Sequence, residues 1–194
     1  QMLEAFVAHT PGVKVVIPSC PADAKGLLTS AIRDNNPVVF ISHKLLMAKK
    51  GEVPDGEYLV PIGKANVLRE GKDVTIISWS KMVWDSMQAA EALEEQGISA
   101  EVIDLRSIKP LDEETILNSV RKTGRLVIVH EATRVCGFGA EVSAVVTEKA
   151  FDALKAPILR VTAPDCPSPF TPALEKEYLP NPDKIVEAVK KIIK

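Results

Sequence analysis

The sequence has few cysteines, no long apolar run and no excess of either charge. Its three cysteines, Cys20, Cys136 and Cys166, are odd in number and form no Cys-x-x-Cys pair, so neither a disulfide framework nor a zinc site is indicated. We expect reduced thiols and a cytoplasmic protein. The longest apolar runs, such as residues 126–129, are strand-sized and far short of the roughly 20 residues that cross a membrane.

The charges nearly balance, because 24 basic residues stand against 26 acidic ones, and the basic residues are scattered along the chain. This distribution predicts no nucleic-acid partner and no membrane partner. With 194 residues, of which 46% are hydrophobic, the chain is long enough for one domain, or for one domain and part of another. Because Gln1 is not a start methionine and leads directly into a pattern typical of a buried helix over residues 2–9, we interpret the sequence as a fragment of a longer chain.

The first part of the chain alternates strands with one helix. Residues 13–17 form a β-branched run, and residues 38–41 form a second one. Pro21 begins the helix between them, which extends to about Arg33, because a proline suits the first helical turn. Residues 48–61 are polar and rich in turn residues, which indicates a surface connector.

The second part alternates strands and helices, which predicts a three-layer α/β domain with a mainly parallel sheet flanked by helices. The predicted strands cover residues 74–79, 101–105, 126–130 and 158–161, and the predicted helices lie near residues 82–96, 113–123, 139–154 and 183–193. Asp112 and Asn181 are placed to cap two of these helices, and Gly124 is placed to end one. Residues 63–68 are a candidate edge strand.

A glycine-containing segment follows the third of these strands. Gly137-Phe138-Gly139 opens a helix, so its N–H groups could bind an anion. Val142, however, stands where a dinucleotide-binding loop has its third glycine. A tight structural turn is therefore the favoured interpretation.

Histidines are the other candidates for chemistry. His130 and Glu131 lie at the carboxyl end of a predicted parallel strand, where open α/β sheets place ligands, and an imidazole beside a carboxylate could shuttle protons. Adjacent residues in an extended chain point to opposite faces, so a loop histidine that anchors a turn or contacts another subunit is the favoured interpretation. His9 and His43 have no second ligand at metal spacing, and we interpret both as structural.

Two further segments allow two interpretations each. At the end of the first-part helix the last carbonyl groups are unpaired, and Asp34 and Asn36 follow them, so either a monovalent cation or water could bind there. Residues 164–172 contain four prolines and predict an extended loop. This loop either contacts a partner subunit or runs over the surface to the last helix.

Several short blocks together resemble the β subunit of the thiamine-diphosphate-dependent first component of 2-oxo acid and acetoin dehydrogenase complexes. The blocks are residues 1–6 (QMLEAF), 13–19 (VKVVIPS), 23–28 (DAKGLL), 31–38 (AIRDNNPV), 60–65 (VPIGKA), 137–141 (GFGAE), 161–165 (VTAPD) and 179–182 (LPNP). The resemblance implies that residues 1–57 are the C-terminal half of a pyrimidine-binding domain with a connector. It also implies that residues 58–194 are a transketolase-type C-terminal domain.

The resemblance implies an activity that this chain does not perform alone. In that family the thiazolium carbanion of thiamine diphosphate decarboxylates a 2-oxo acid or cleaves acetoin, and the acyl group passes to a lipoyl-acyltransferase core. The glutamate and the histidine that serve the cofactor would precede Gln1, so we expect no catalytic and no cofactor-binding residue in this chain. A separate α subunit would hold the diphosphate and its Mg²⁺.

Partners and a further ion follow from the same resemblance. It implies an α subunit, a second β subunit and the acyltransferase core as partners, and a potassium site on Ala31, Ile32, Asp34 and Asn36. Two alternatives stay open. The chain could be a free-standing assembly or binding module, or it could be part of a single-chain, sugar-using transketolase-like enzyme.

Overall fold

The structure, a computed structural model, describes residues 2–193, and these form two sheets. The strands are β1 (Lys14–Val16), β2 (Val38–Phe40), β3 (Asn66–Arg69), β4 (Val74–Ser78), β5 (Ala100–Asp104), β6 (Ser107–Lys109), β7 (Leu126–Thr133) and β8 (Leu159–Ala163). The α-helices are α1 (Glu4–Ala8), α2 (Pro21–Arg33), α3 (Met82–Glu94), α4 (Glu113–Thr123), α5 (Gly139–Ala150), α6 (Pro172–Tyr178) and α7 (Pro182–Ile192). Short 3₁₀ turns follow β2 and α5, at Lys44–Leu46 and Phe151–Ala153.

The larger sheet has the strand order β3-β5-β4-β7-β8. The strands β5, β4, β7 and β8 are parallel to one another, and the edge strand β3 pairs antiparallel with β5. Since β5 and β7 lie on the two sides of β4, the crossover helices of their connections cover opposite faces of the sheet. The smaller sheet has the order β2-β1-β6, in which β1 and β2 are parallel. β6 pairs with β1 antiparallel from the second part of the chain, so both parts contribute to one sheet.

Side chains alternate along the central strands and build one apolar core on each face of the larger sheet. On β4, Val74 and Ile76 pack with α3 and α7, whereas Ile77 packs with α4 and α5. β7 repeats the pattern, with Val127 in the first core and Ile128 in the second. The expected α/β fold, a mainly parallel sheet between two helical layers, is confirmed.

Local signals in the sequence determine several helix ends. The Asp112 side chain accepts a hydrogen bond from the N–H of Thr115, and Gly124 ends α4 in the left-handed region at φ 73°. Asn181 caps α7 in the same way, through a backbone N–H of its first turn. The predictions at these caps are confirmed, and the candidate edge strand is present as β3.

Three parts of the chain differ from expectation. The helix at the start, α1, is short, and it buries Glu4 but leaves Phe6 exposed instead of forming the expected buried helix. The sequence does not predict β6, whose three residues carry no alternating pattern. The proline-rich segment is non-helical as far as Thr171, and α6 begins at its last proline, Pro172. Among the described helices, none is both long enough and apolar enough to cross a membrane.

Candidate functional site

Buried and partly buried side chains with polar groups gather where the carboxyl ends of β4, β5 and β7 meet the first part of the chain. We call this region the junction, and its members are Glu4, Ser19, Asp23, His43, Trp79, Asp104, Arg106, His130 and Glu131. Open α/β sheets bind ligands at the carboxyl ends of their strands. The junction is therefore the candidate functional site.

His130 lies fully buried in β7 and stacks on Trp79, with ring centroids 5.2 Å apart and planes 10° apart. Within residues 2–193, neither ring nitrogen has a hydrogen-bond partner of ordinary geometry. Burial, together with the charge of Arg160, lowers the pKa of His130 from 6.5 to about 4. The imidazole is therefore neutral at pH 7, and it is enclosed within this chain rather than available to another subunit.

The turn at Gly137 and Gly139 closes over the Nε2 edge of this imidazole. A Cβ atom on Gly137 would lie 2.5 Å from Cε1 of His130, and a Cβ atom on Gly139 would lie 2.7 Å from its Cδ2 and Nε2. Real Cβ atoms do not approach so closely, so both glycines are required by packing. This packing explains the glycines without an anion. His130 does anchor the turn, as expected, but from a strand and not from a loop.

Glu4 attaches α1 to the same stack. Its Oε1 accepts a hydrogen bond from Nε1 of Trp79 at 3.1 Å, whereas its Oε2 has no hydrogen-bond partner among the described residues. Burial raises the pKa of Glu4, and the nearby carboxylate of Glu131 raises it further. The start of the chain is thus held on the second part by a buried acid.

His43 and Glu131 form a second contact between the two parts, with His43 Nε2 2.7 Å from Glu131 Oε2. Nδ1 of His43 accepts a hydrogen bond from the N–H of Leu45 at 3.2 Å. The ring hydrogen of that tautomer is therefore on Nε2, which donates a hydrogen bond to Oε2 of Glu131. Burial alone would raise the pKa of Glu131, but the bond from His43 outweighs burial and lowers it. His43 is structural, as expected, but it is paired. His130 and Glu131 contact different partners, as their alternation predicts.

Asp104, at the end of β5, is fully buried and accepts two hydrogen bonds. The Ser19 hydroxyl donates to one carboxylate oxygen of Asp104, and the N–H of Arg106 donates to the other at 3.0 Å. Nη1 of Arg106 also donates to Oδ1 of Asp23 at 3.0 Å. Burial, and to a lesser degree Asp23, raises the pKa of Asp104 to about 7. We call Ser19, Asp23, Asp104 and Arg106 the Asp104 cluster.

Two cavities lie beside these residues. One, of about 300 Å³, opens between the ends of β1 and β2 and is lined in part by Ser19 and His43. The other, of about 490 Å³, lies between α1 and α5 and is lined in part by His9 and Cys136. In the part of the chain that the structure describes, no group of three His, Cys, Asp or Glu side chains could hold a metal ion.

The segment with the predicted potassium site lies at the opposite end of α2 from the junction. Oδ2 of Asp34 accepts a hydrogen bond from Nζ of Lys14 at 2.5 Å, and Oδ1 accepts the N–H of Asn36 at 2.9 Å. These bonds lower the pKa of Asp34 to about 2. The carbonyl of Ala31 accepts the N–H of Asp34, and the side chain of Ile32 is exposed. The potassium site on Ala31, Ile32, Asp34 and Asn36 stays a prediction.

Family models match both parts of the chain. The family described as transketolase, C-terminal domain, matches residues 63–185, which is more than half of the chain. This chain belongs to the transketolase C-terminal domain family. The family described as transketolase, pyrimidine binding domain, matches residues 1–50. The division at residues 57 and 58 stays a prediction.

Two relatives carry the expected subunit names. Acetoin:2,6-dichlorophenolindophenol oxidoreductase subunit beta of Cupriavidus necator is 50% identical over 194 residues, and pyruvate dehydrogenase E1 component subunit beta of Bacillus subtilis is 52% identical over 192 residues. These alignments take in 100% and 98% of this chain but 57% and 59% of the relatives. The chain thus spans little more than half the length of these relatives. The resemblance to such β subunits is confirmed.

Solved structures agree with the fold. A split-gene transketolase, described as an inactive β4 tetramer, superposes with a TM-score of 0.82 at 30% identity, covering 97% of this chain and 60% of that chain. A transketolase from Pichia stipitis superposes with a TM-score of 0.65 at 15% identity. The superposition covers 98% of this chain and 26% of the Pichia stipitis chain. The second likeness concerns the fold alone.

Sequence reasoning misses most residues of the junction. Asp104 and Arg106 follow a buried strand at its carboxyl end, and this position is the signal that could have identified them. Glu4, Ser19 and Trp79 carry no comparable signal. Their partners lie 75 residues away for the Glu4 bond and 85 residues away for the Ser19 bond.

Proposed function

We propose that this chain is part of the β subunit of a thiamine-diphosphate-dependent oxidoreductase of the pyruvate or acetoin dehydrogenase type. One observation carries the proposal: identities of 50% and 52% with β subunits of both kinds extend along 100% and 98% of the chain. The activity belongs to the assembled enzyme. That enzyme decarboxylates a 2-oxo acid or cleaves acetoin and passes the acyl group to a lipoyl-acyltransferase.

In this proposal the chain supports the cofactor site without holding the cofactor. The cofactor's diphosphate is bound together with Mg²⁺, which proteins usually hold through one or two carboxylates and the phosphate oxygens themselves. The α subunit holds both. Residues 1–57 act as the second half of a pyrimidine-binding domain, and residues 58–194 act as the C-terminal domain joined to it. No catalytic residue is assigned to this chain.

Subunit pairing is the next part of the proposal. The split-gene transketolase is described as a β4 tetramer, and large apolar side chains of this chain reach the surface. Phe6, Phe151 and Phe170 are 82%, 70% and 102% exposed. Because single exposed apolar side chains are common on protein surfaces, it is the tetramer described for the split-gene transketolase that supports pairing with a second β subunit, and the α subunit completes the proposed assembly. Docking to the acyltransferase core, in the cytoplasm, completes the assembly.

A potassium ion on Ala31, Ile32, Asp34 and Asn36 is the remaining part. The carbonyl groups at the end of α2, a helix of 13 residues, form the negative pole of its dipole and support a cation there. Lys14 already places its ammonium 2.5 Å from Asp34. A potassium ion at Asp34 therefore competes with Lys14.

The test uses the β subunit that contains this chain, purified together with its α subunit. We expect 2,6-dichlorophenolindophenol to be reduced with pyruvate or acetoin as donor, and only when thiamine diphosphate and Mg²⁺ are present. This chain alone, or the β subunit without α, should give no turnover. Absence of dye reduction with pyruvate, acetoin and branched 2-oxo acids would overturn the proposal.

A sugar-using transketolase is the second candidate, because the split-gene transketolase shares 30% identity at a TM-score of 0.82. The same preparation distinguishes the two. Transfer of a two-carbon unit between sugar phosphates, without dye reduction by pyruvate or acetoin, would identify a transketolase. A stable αβ complex with neither activity would identify an assembly module. The identity of 50% with the acetoin enzyme subunit favours the dehydrogenase.

A further inference from the structure

The Asp104 cluster joins the two parts of the chain through buried charges. Ser19 lies just before α2 and Asp23 in its first turn, whereas Asp104 ends β5 and Arg106 follows it. Ser19, Asp23 and Asp104 are 4%, 8% and 0% exposed. Because water hardly reaches these groups, each charge depends on the others for its stabilisation.

The charges in the cluster do not balance. Asp23 has a direct partner, since Nη1 of Arg106 lies 3.0 Å from its Oδ1. The other guanidinium nitrogens of Arg106 donate to backbone carbonyls at 3.2 and 3.3 Å. Among the described residues, Asp104 receives the hydroxyl of Ser19 and the backbone N–H of Arg106. A buried carboxylate without a cation of its own is disfavoured relative to the protonated acid.

The elements around Asp104 add negative charge rather than positive charge. The start of α2 brings the carboxylate of Asp23 and the thiol of Cys20, which stays uncharged because burial and the charges of Asp23 and Asp104 raise its pKa. β3 and β4 bring the uncharged residues Asn66 and Ser78, which lie opposite Asp104 in the sheet. Arg106 is the cation that faces Asp104, and it is shared with Asp23.

We propose that Asp104 is a proton-operated joint between the two parts of the chain. With its proton on Oδ2, Asp104 donates a hydrogen bond to the Ser19 oxygen instead of accepting one from the hydroxyl, it does not repel Asp23, and the start of α2 stays packed on the second part. When the proton leaves, Asp104 and Asp23 repel each other and this contact loosens. The cavity of about 300 Å³ beside Ser19 and Cys20 changes shape with it. This joint does not depend on the proposed function.

The range of pH follows from the environment of the carboxyl group. Burial, with Asp23, raises the pKa of Asp104 from 3.8 to about 7. In the unfolded chain the group ionises at its ordinary value. Between these two values folding takes up a proton, so the contribution of Asp104 to stability is complete below about pH 4 and falls as the pH rises to about 7.

Urea unfolding of the whole β subunit that contains this chain, as wild type and as Asp104→Asn, from about pH 4 to about pH 8, tests the joint. The asparagine keeps the shape and the polar atoms of the protonated acid but cannot ionise. The unfolding constant of the wild type, divided by that of the variant, should rise with pH by up to about 10³-fold and become constant above about pH 7. Taking this ratio cancels the other titrating groups.

Two further variants identify the source of the effect. Asp112 is also buried, but hydrogen bonds from Ala65 and Thr115 lower its pKa despite burial. Asp112→Asn should therefore weaken the fold by the same amount throughout the range from about pH 5 to about pH 8. The unfolding constant of the wild type divided by that of Asp112→Asn should stay constant there. Asp23→Asn removes the repulsion and should move the step caused by Asp104 to lower pH.

Amide hydrogen exchange gives a second readout. We expect residues 19–24 and 105–109 of the wild type to lose protection between about pH 6 and about pH 8, after correction for intrinsic rates, and those of Asp104→Asn to keep it. A ratio that stays constant across the pH range, or wild-type protection that does not change, overturns the joint. If Asp104→Asn does not fold, the pH at which the wild type loses stability is compared with that of Asp23→Asn. An equal pH for both proteins also overturns the joint.

Discussion

Replacement of His130 by phenylalanine tests whether the buried imidazole is neutral. The ring lies on Trp79 at 5.2 Å and is 0% exposed, so a proton on it would add a buried charge beside Arg160. The pKa falls from 6.5 to about 4 for this reason. That difference in pKa corresponds to about 3 kcal/mol of folding free energy, because each pKa unit between the folded and unfolded states corresponds to about 1.4 kcal/mol.

The sign of the effect is fixed by which state takes up the proton. As the pH falls below about 6.5 the unfolded chain protonates first, so the folded state loses stability until the pH reaches about 4. In His130→Phe this loss should disappear, which urea unfolding between about pH 4 and about pH 7 measures. The difference in unfolding free energy between wild type and variant should change by about 3 kcal/mol across the range.

The stability at pH 7 is a poorer readout for this variant. Removing two buried nitrogens that have no hydrogen-bond partner of ordinary geometry among the described residues should stabilise the fold by about 1–3 kcal/mol. The larger ring should destabilise it by a similar amount, about 1–3 kcal/mol, because Gly137 and Gly139 already contact the imidazole. His9→Ala, at an exposed position directly after α1, is the control and should keep the wild-type pH profile. If His130→Phe loses stability with acid as steeply as the wild type, the buried imidazole is not the cause.

Three other substitutions have clear expectations. In Gly71→Ala the new Cβ would lie 2.2 Å from the backbone of β5, so we expect a loss of about 3 kcal/mol or more in urea, against about 1 kcal/mol for Gly97→Ala, which has open space. Asp112→Ala removes the cap of α4 and should cost about 1–2 kcal/mol at pH 7, by thermal unfolding, and less in acid, because the stability contributed by a carboxylate with a lowered pKa is lost as the pH falls through that pKa. Lys14→Met frees Asp34, so KCl should raise its Tm above that in choline chloride more than for the wild type; equal responses would contradict a cation there.

Elements with strong local signals were predictable nearly to the residue. The helix predicted from Pro21 to about Arg33 is α2 (Pro21–Arg33), and the helix predicted over residues 113–123 is α4 (Glu113–Thr123). Proline at the first turn, an acid at the cap and glycine at the stop act within one or two turns of the chain. Such signals need no knowledge of the tertiary structure. α1 was harder, because a helix of five residues depends on what its buried Glu4 contacts.

Most of the junction was beyond sequence reasoning, because the contacts of Ser19, Asp104 and Arg106 depend on the register of one short strand. β6 aligns Ser107 opposite Val16, and the carbonyl of Arg106 then accepts the N–H of Ile17 at 2.7 Å. This pairing directs the chain beyond β1 toward the end of β5, so that Ser19 meets Asp104 although 85 residues separate them. Since β6 has neither alternation nor length to mark it, the charges at its ends look isolated in the sequence. Their chemistry arises only when the two parts of the chain share a sheet.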